Sequence, residues 1–559
     1  MNVPVQVMKI WTFFLGLVTM LIPNMQGQTQ TSGTFLNTED AYDGYTLLDP
    51  TGSTSTYLIN NCGEVVNSWS SDHRSGGACY LLDDGSLARG CRMIGAFSGG
   101  GVGGRIERRS WDGNLLWALD WADEEKHHHH DFAWMPNGNV LVLAWERKSS
   151  SEAAMAGRTN PQTMWPESIT EIEPTMPSGG NVVWEWHAWD HLVQNTDATL
   201  AHYGEPSENP TRIDVNYANV GGGGGPGSAE SGDWMHANAV NYHPELDQIA
   251  ISSRRFNETW IIDHGITTEE ASGPAGDLLY RYGNPEAYGR GTAEQRVLFG
   301  QHDVQWIPDG HPQAGKLMVF NNGNNRPDCT CSTIDVWMPP LLEDGSYAIS
   351  GEGPMGPDAF DWTYPETATE AFYSPNISGV QPLPNGNHLI CEGASGHLFE
   401  VTLAGELVWD YINPAGNSEV FPQGTTPQQN NVFRAYRYGP NFPGLQNQEL
   451  IASEPLEGDG GAPCTLFNVQ DSTATSTSME EVPILNVYPN PTSEFLNVHL
   501  GLQQHAVIDL MDLGGRILHS ENTTDGHTRF DMSSMPSGTY LVQLRMGSTQ
   551  LMRQIHVLH

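Results

Sequence analysis

A turn followed by an apolar strand pattern recurs six times between about residues 40 and 465. Several of these turns contain Asp–Gly or Asn–Gly pairs, which favour tight hairpins because both residues tolerate positive φ angles. The residues that follow alternate between apolar and polar positions, as half-buried β-strands do. The six copies start at Asp84, Pro136, Leu246, Ala314, Pro384 and Gln446.

A second element alternates with the first and usually places two apolar residues before an aromatic one. Its six copies are Val65–Trp69, Leu115–Trp117, Val182–Trp184, Leu278–Tyr280, Ile334–Trp337 and Leu407–Trp409. Six irregular repeats of about 70 residues predict a six-bladed β-propeller with long loops. A β-sandwich with accidental repeats is the alternative.

The composition of the chain changes after Cys464. The segment Asp471–Glu481 is rich in Ser and Thr, which is typical of a flexible linker. Short strand patterns recur from Val482 to the end, and they predict a small C-terminal β-sandwich. We therefore predict an all-β chain with a six-bladed β-propeller at residues 28–470, a linker at 471–481 and a β-sandwich at 482–559.

The longest apolar run lies near the N-terminus. Ile10–Ile22 has about 13 residues, fewer than the roughly 20 that a membrane-spanning helix needs. It follows Lys9 and precedes a polar stretch, a pattern typical of a secretory signal. We expect residues 1–27 to be a signal peptide and the mature protein to be exported.

The charge of the chain excludes one class of partner. Its 559 residues include 25 Lys and Arg against 66 Asp and Glu, a formal net charge of −41. No basic face is available for a phosphate backbone, so we exclude nucleic acid as a partner.

The seven cysteines are few for this length, and the single residue between Cys329 and Cys331 argues against a bond between them.

Histidines stand beside strand patterns in three of the predicted blades. They are the run His127–His130 before Asp131, His236, and His302 before Asp303, and Arg254 ends the strand pattern that follows His236. A propeller brings such positions to one end of a central channel. Imidazoles and carboxylates suit a metal ion, but a guanidinium repels a divalent cation and binds a tetrahedral anion bidentately. The set therefore favours an anion site.

Three motifs mark the C-terminal tail: Val487–Thr492 (VYPNPT), Asp512–Arg516 (DLGGR) and Met535–Tyr540 (MPSGTY). They resemble the C-terminal sorting domain of the type IX secretion system over the whole tail. The resemblance implies the type IX secretion machinery as a partner. It also implies export through the periplasm and outer membrane, with a secreted or cell-surface location.

A second group of motifs spans about residues 40–440. These are Gly100–Glu107, His129–Asp131, Pro136–Asn139, Val183–Gln194, Asp233–Asn238, Trp260–His264, Gly300–Trp306 and Asn431–Tyr438. They resemble the bacterial arylsulfate sulfotransferase family. That family consists of six-bladed propellers that move a sulfuryl group from a phenolic sulfate donor to a phenol acceptor without a nucleotide donor, so the resemblance implies no cofactor and no metal.

The resemblance also implies a role for each candidate residue. His302 matches the nucleophile, which becomes transiently sulfated. His236 and Arg254, eighteen residues further on, match the pair that holds the sulfuryl oxygens and the leaving group. The remaining histidine precedes an aspartate and matches His130, with His129 as the alternative because the run makes the register ambiguous. Members of the family carry an N-terminal β module, whereas here only about a dozen residues separate Gln28 from the first strand pattern. A homodimer is therefore one of the states that the sequence allows, and the sequence does not decide it.

The alternative function is a non-catalytic surface propeller whose histidines bind metal ions or sulfated glycans. Arg254 distinguishes the two functions, because a metal site gains nothing from a guanidinium.

Overall fold

The computed structural model describes residues 30–97, 99–221, 232–349, 351–366, 372–458 and 461–467, and in the tail residues 485–488, 495–500, 506–512, 516–523, 527–533, 535–546 and 549–557. The protein is all-β, and its helices are short. It separates into two compact units, Met1–Asn468 and Val469–His559. The predicted signal peptide at residues 1–27 and the predicted linker at 471–481 lie outside the described residues.

The strands of the first unit follow one another at short intervals. The first twelve are β1 (Gly33–Asn37), β2 (Tyr45–Pro50), β3 (Ser55–Asn60), β4 (Val65–Ser70), β5 (Ser75–Leu81), β6 (Leu87–Arg92), β7 (Gly104–Arg109), β8 (Leu115–Asp120), β9 (Lys126–Trp134), β10 (Val140–Glu146), β11 (Glu167–Pro174) and β12 (Gly180–His187). The others are β13 (Leu192–Val193), β14 (Ile213–Asp214), β15 (Ala237–His243), β16 (Gln248–Ser253), β17 (Glu258–Asp263), β18 (Tyr280–Tyr282), β19 (His302–Trp306), β20 (Leu317–Asn321), β21 (Thr333–Trp337), β22 (Trp362–Tyr364), β23 (Gly379–Pro382), β24 (His388–Glu392), β25 (His397–Val401), β26 (Leu407–Ile412) and β27 (Val432–Tyr438).

Short helices occupy some of the connections. The α-helices are α1 (Ser150–Met155) and α2 (Thr268–Ala271), and both begin at capping boxes, with Ser149 and Thr267 as N-caps. The 3₁₀ turns are Ala188–His191, Pro206–Glu208, Pro274–Gly276, Pro285–Tyr288, Ala293–Gln295 and Pro443–Leu445. Within the described residues, no helix has the length and hydropathy needed to cross a membrane.

Consecutive strands form antiparallel sets of four. The sets are β5–β8, β9–β12, β15–β18, β19–β22 and β23–β26, and β1 adds a fifth strand to the last of them. Strand β27 pairs with β2 and completes a further set with β3 and β4. Sets β5–β8 and β9–β12 are joined at one parallel pair, Gly77 with His130. Strand β27 therefore ties the C-terminal part of the first unit to its N-terminal strands.

The first strands of the six sets lie beside one another in a closed order. Strand β5 contacts β9, and contacts continue through β15, β19 and β23 to β27, which returns to β5. The N-terminal ends of these strands therefore share one side of a common centre. Residues that are far apart in sequence meet there.

Apolar side chains fill the spaces between neighbouring sets. Leu47 and Leu58 pack with Leu81 and Leu87 between the set that contains β27 and the set β5–β8, and similar clusters separate the other sets. The fully buried tryptophans are Trp69, Trp117, Trp145, Trp165, Trp186, Trp234, Trp260, Trp337 and Trp409. Each such side chain removes about 150–250 Å² of surface from water, which makes these rings a major contribution to stability.

Two repeat copies do not occupy the strand positions that the pattern predicts. Five copies of the first element lead into second strands, but Gln446–Leu450 forms no strand. The set that contains β27 takes its other three strands from the N-terminal part of the chain, so no strand is needed after β27. Ile334–Trp337 lies in the third strand of its set, because Trp362–Tyr364 supplies the fourth.

The cysteine pairing differs in one respect from the expectation. Cys329 and Cys331 are bonded to each other. The chain bends at Thr330, so their Cα atoms are 5.4 Å apart, within the usual range for a disulfide. A second bond joins Cys62 to Cys464 across 402 residues of sequence.

The described residues of the second unit form seven strands in two sheets. They are β28 (Leu485–Tyr488), β29 (Phe495–Leu500), β30 (Ala506–Asp512), β31 (Ile517–Thr523), β32 (His527–Asp531), β33 (Gly538–Met546) and β34 (Thr549–Val557). One sheet has the order β28-β29-β32 and the other the order β31-β30-β33-β34. Val498 and Phe530 of the first sheet share a buried core with Ile508, Val542 and Ile555 of the second.

Removal of the long-range disulfide tests how the first unit is closed. Cys464→Ser removes the disulfide bond to Cys62, which spans 402 residues of sequence. We expect the free energy of unfolding to fall by about 2–5 kcal/mol in urea titrations under oxidising conditions. Cys329→Ser is the matched control and should cost less, because its loop is very short. Equal losses in the two variants would contradict this account.

Candidate active site

His302 begins β19 and is almost completely buried. Its Nδ1 lies 2.7 Å from Oδ1 of Asn322. The Asn322 amide donates to the carbonyl of Ser374 at 2.7 Å and to Oγ of Ser378 at 3.0 Å, which fixes Oδ1 as the atom that faces the ring. Since Oδ1 only accepts, Nδ1 of His302 carries the proton and Nε2 presents a lone pair.

Burial lowers the pKa of His302 well below its usual value, and the nearby charges of Arg254, His236 and Arg434 lower it further. The hydrogen bond to Asn322 opposes this shift but does not overcome it. The His302 imidazole is therefore neutral at physiological pH, the form in which its nitrogen is nucleophilic.

His236 immediately precedes β15, and its ring faces His130 with 4.7 Å between ring centroids. Its Nδ1 lies 2.7 Å from Oδ2 of Asp233, which also accepts from Nε of Arg255 at 3.2 Å. Burial raises the Asp233 pKa, but His236 and Arg255 outweigh it, so the pKa lies below the usual value. Asp233 is thus a carboxylate that orients His236 with Nε2 free for a ligand.

Arg254 directly follows β16, and its backbone N–H donates to the carbonyl of His236 at 3.3 Å. Its side chain makes no hydrogen bond or ion pair with any described residue, and its Nε is buried. Burial lowers the pKa of Arg254, and neighbouring Arg255 lowers it further. A guanidinium has five donors and remains charged in proteins, so a partly buried one without a partner is suited to an anionic ligand.

The histidine run divides between two sides of β9. His130 points towards His236, whereas His129 lies behind it and stacks on Trp145 with ring centroids 4.0 Å apart. Nδ1 of His129 is 2.8 Å from Nδ1 of His130, and Nε2 of His129 is 2.6 Å from Oε2 of Glu167. Among the four candidate positions, the structure therefore brings His130 next to His236 and places His129 one layer further back.

A glycine loop packs directly against these rings. A Cβ on Gly101 would lie 2.0 Å from Nε2 of His130, and one on Gly103 would lie 2.4 Å from Nδ1 of His128. The carbonyl of Gly101 accepts from the backbone N–H of His130 at 2.8 Å. Glycines are needed here because the backbone approaches the imidazoles more closely than any side chain allows.

Arg434 on β27 was not singled out by the sequence. Its Nη1 donates to Asp131 at 2.7 Å, its Nη2 donates to the carbonyl of Asn238 at 2.5 Å, and its Nε lies 3.2 Å from Asp303. Burial raises the pKa of Asp303 to about 6 even though Arg434 opposes the shift. Arg434 thus connects β27 to the first strands β9, β15 and β19. An arginine flanked by the buried apolar residues Phe433 and Ala435 is the signal that could have revealed it.

The site residues occupy a strained part of the backbone. His130, His236 and Asp303 have φ angles of 58°, 53° and 59° in the left-handed region. Register shifts interrupt the pairing of β9, β15 and β19 at the same places. Non-glycine residues adopt this conformation at a cost, and such positions concentrate at functional sites.

A separate cavity of about 670 Å³ opens at the C-terminal ends of the first strands. Its wall includes Tyr80, Trp134, Tyr242, Tyr436 and Arg434. Its lining in the described part of the chain includes none of the four predicted site residues. The same part of the chain contains no group of three His, Cys, Asp or Glu side chains arranged to hold a metal ion.

The glycine loop gives a test of the packing around His130. Gly101→Ala introduces a side chain at a φ angle of +73° and against the imidazole, so we expect it to lower the free energy of unfolding by more than about 1 kcal/mol. Gly113→Ala is the control, because Gly113 has a φ angle of +83° and no neighbour within 4 Å of its Cβ position. Equal losses in urea titrations would show that the contact with His130 is unimportant.

Comparison with known proteins agrees with both resemblances. Residues 101–335 match the family model Arylsulfotransferase (ASST), a segment that contains His130, His236, Arg254 and His302. Residues 486–558 match the model Secretion system C-terminal sorting domain, which indicates export and a secreted or cell-surface location. No curated protein matches the sequence.

Solved structures show only distant similarity. A protein of unknown function from Bacteroides caccae is 12% identical, with 66% of this chain and 93% of that chain covered and a TM-score of 0.35. The β-propeller domain of Cps50 (Swd1) from Myceliophteria thermophila is 9% identical, with 69% and 87% covered and a TM-score of 0.32. Inactive virginiamycin B lyase from Staphylococcus aureus is 9% identical, with 67% and 87% covered and a TM-score of 0.28. This chain is thus similar to the arylsulfotransferase (ASST) family over residues 101–335 and to the secretion system C-terminal sorting domain over residues 486–558.

Proposed function

We propose that the protein is an exported arylsulfate sulfotransferase. It transfers a sulfuryl group from a phenolic sulfate ester to a phenol by a ping-pong mechanism through a sulfohistidine at His302, without a nucleotide donor. The observation that carries this proposal is the partly buried guanidinium of Arg254, which has no partner among the described residues and lies in a cluster of imidazoles. A sulfate ester supplies the anion that this cluster lacks.

In the first half reaction, the Nε2 lone pair of His302 attacks the sulfur of the donor. The N–S bond forms, the S–O bond to the aromatic ring breaks, and the phenolate leaves with the electron pair. The ring of His302 becomes positively charged because Nδ1 keeps its proton. Oδ1 of Asn322, at 2.7 Å from Nδ1, stabilises that charge.

Arg254 and His236 hold the sulfuryl oxygens as negative charge builds up on them. Both side chains are partly buried, and positioned donors in a site shielded from water contribute most of the rate in related phosphoryl transfers. His130 protonates the leaving phenolate. In the second half reaction a phenol gives its proton back and attacks the sulfur, which restores the lone pair of His302.

The architecture that we propose for this function is a six-bladed β-propeller at residues 28–470. Six sets of antiparallel strands and the closed order of their first strands support it. We propose that residues 482–559 form a β-sandwich sorting domain, supported by two sheets with one shared core, and that residues 1–27 and 471–481 are the signal peptide and the linker.

Covalent labelling tests the nucleophile. Brief mixing with 4-nitrophenyl sulfate, without acceptor and with an alkaline quench, should add about 80 Da to the peptide that contains His302. The variant His302→Ala should turn over this substrate at least about 10³-fold more slowly than the unmodified protein. His243→Ala is the control, since His243 ends β15 away from Arg254. Normal turnover by His302→Ala would refute the mechanism, and no reaction by the unmodified protein would favour a non-catalytic propeller that binds metal ions or sulfated glycans.

The low pKa of His302 predicts the acid side of the pH profile. A histidine with a lowered pKa stays neutral as the pH falls. The value of kcat/KM for 4-nitrophenyl sulfate should therefore stay constant below the usual pKa of histidine, about 6.5. A nucleophile with that usual pKa would already have lost about half of its activity at a pH of about 6.5. Initial rates between pH 4.5 and 8 at constant ionic strength give the measurement.

A further inference from the structure

We propose that Glu167, His129 and His130 form a buried proton relay that lets His130 act as an acid in one half reaction and as a base in the other. The inference deepens the proposed function and rests on it. His130 is the catalytic residue of the three, and His129 and Glu167 are positioning residues that act through it.

The three groups form one continuous chain of hydrogen bonds. Oε2 of Glu167 is 2.6 Å from Nε2 of His129, and Nδ1 of His129 is 2.8 Å from Nδ1 of His130. All three side chains are buried. Stacking on Trp145 holds the ring of His129, and the backbone N–H of Ala237 donates to Oε1 of Glu167 at 2.8 Å. Of the four ring nitrogens of His129 and His130, three therefore have a hydrogen-bond partner, and Nε2 of His130 has none among the described residues.

Two arrangements of the protons are compatible with these hydrogen bonds between Glu167, His129 and His130. In the first, Glu167 is protonated and donates to His129, His129 donates from Nδ1 to His130, and His130 carries a proton on Nε2. In the second, Glu167 is a carboxylate, His129 carries its proton on Nε2, and His130 donates from Nδ1 and presents a lone pair on Nε2. The two arrangements differ by one proton, which leaves or enters at Nε2 of His130.

These arrangements match the two half reactions. When the phenolate leaves, Nε2 of His130 gives it a proton, His130 receives one from His129, and His129 receives one from Glu167. The negative charge of the phenolate thus ends on Glu167 and the product leaves as a neutral phenol. When the acceptor phenol attacks, its proton enters at Nε2 of His130 and the same bonds carry a proton back to Glu167.

The surroundings of Glu167 support this role. Burial raises the pKa of Glu167 well above its usual value, and the charges of Asp233 and Glu146 raise it further, so the resting carboxyl group holds a proton. Ala237 opposes this shift through its N–H, which also stabilises the carboxylate once the proton has moved.

His236 offers the contrast. Its partner Asp233 has a lowered pKa and a second donor in Arg255, so this pair stays a carboxylate with a protonated Nδ1. A proton on Nδ1 of His236 cannot pass to Asp233 and return. His236 is therefore suited to binding the sulfuryl group, and His130 is suited to moving the proton.

The test compares two donors in the first turnover of Glu167→Gln. Phenol is a weak acid with a pKa near that of tyrosine, about 10, so phenyl sulfate needs a proton on its leaving group, whereas 4-nitrophenyl sulfate hardly does. Glutamine keeps the hydrogen bonds but cannot pass a proton. We expect the first-turnover rate to fall about 10²-fold or more with phenyl sulfate and less than about 5-fold with 4-nitrophenyl sulfate. The sulfohistidine should then persist when phenol is added, because the base is lost.

Glu171→Gln is the matched control, because Glu171 is a buried acid on the same strand that binds Asn139 and His264 instead of the relay. It should slow neither donor selectively. Equal slowing of both donors by Glu167→Gln would overturn the relay and leave a structural role. If the unmodified protein turns over no aryl sulfate, the proposed function itself fails, which is a separate outcome.

A measurement without a variant covers the case in which Glu167→Gln does not fold. ¹⁵N NMR of histidine-labelled protein reports the protonated nitrogen of each ring. The relay requires a proton on Nε2 of His130 in the resting enzyme and on Nδ1 after His302 is sulfated. A proton that stays on the same nitrogen in both states would overturn the proposal.

Discussion

The buried guanidinium of Arg434 is the interaction on which the centre of the first unit depends. It binds Asp131 and Asp303 and a carbonyl of β15, so β27 is tied to three other first strands. Removing one member of such a group leaves a buried charge without a partner, which costs about 3–5 kcal/mol. Because Asp131 and Asp303 directly follow His130 and His302, the same contacts hold the backbone of two candidate catalytic residues.

The negative charges of the acids around the site are compensated in two ways, by a basic partner or by burial that keeps a proton on the carboxyl group. Arg434 compensates Asp131 and Asp303, and His236 and Arg255 compensate Asp233. Burial keeps a proton on Glu167. Arg254 has no such partner among the described residues, so a chain with a formal charge of −41 presents a local positive charge beside the N-terminal end of β15. An anionic ligand is the natural complement of that arrangement.

The prediction of the site from sequence was uneven for a physical reason. His236 directly precedes β15 and Arg254 directly follows β16, its antiparallel neighbour, so a local pattern of strands already brings them together. The partner of His302 is Asn322, twenty residues away and directly after the next strand, and the partner of His129 is Glu167, thirty-eight residues away. Asparagine and glutamate occur throughout such a chain, and nothing local distinguishes the two that face a histidine.

The histidine run shows the same limit. The sequence left His129 and His130 as alternatives, because four consecutive histidines have no register of their own. A register shift and the left-handed backbone of His130 turn its ring towards His236 and leave His129 facing Glu167. That choice depends on strands β10 and β11 and on the glycine loop, all of which are placed only by the tertiary structure.

Local alternation, composition and motifs are enough to predict the all-β class, the change of composition after Cys464, the exported destination and the residue types that suit an anion. The folded arrangement is needed to know which strand closes the ring, which carboxylates are neutralised and which nitrogen of each histidine is free. These properties depend on contacts between residues as far apart as Asp131 and Arg434, 303 positions along the chain. Burial and hydrogen bonding set them, and neither acts until the chain has folded.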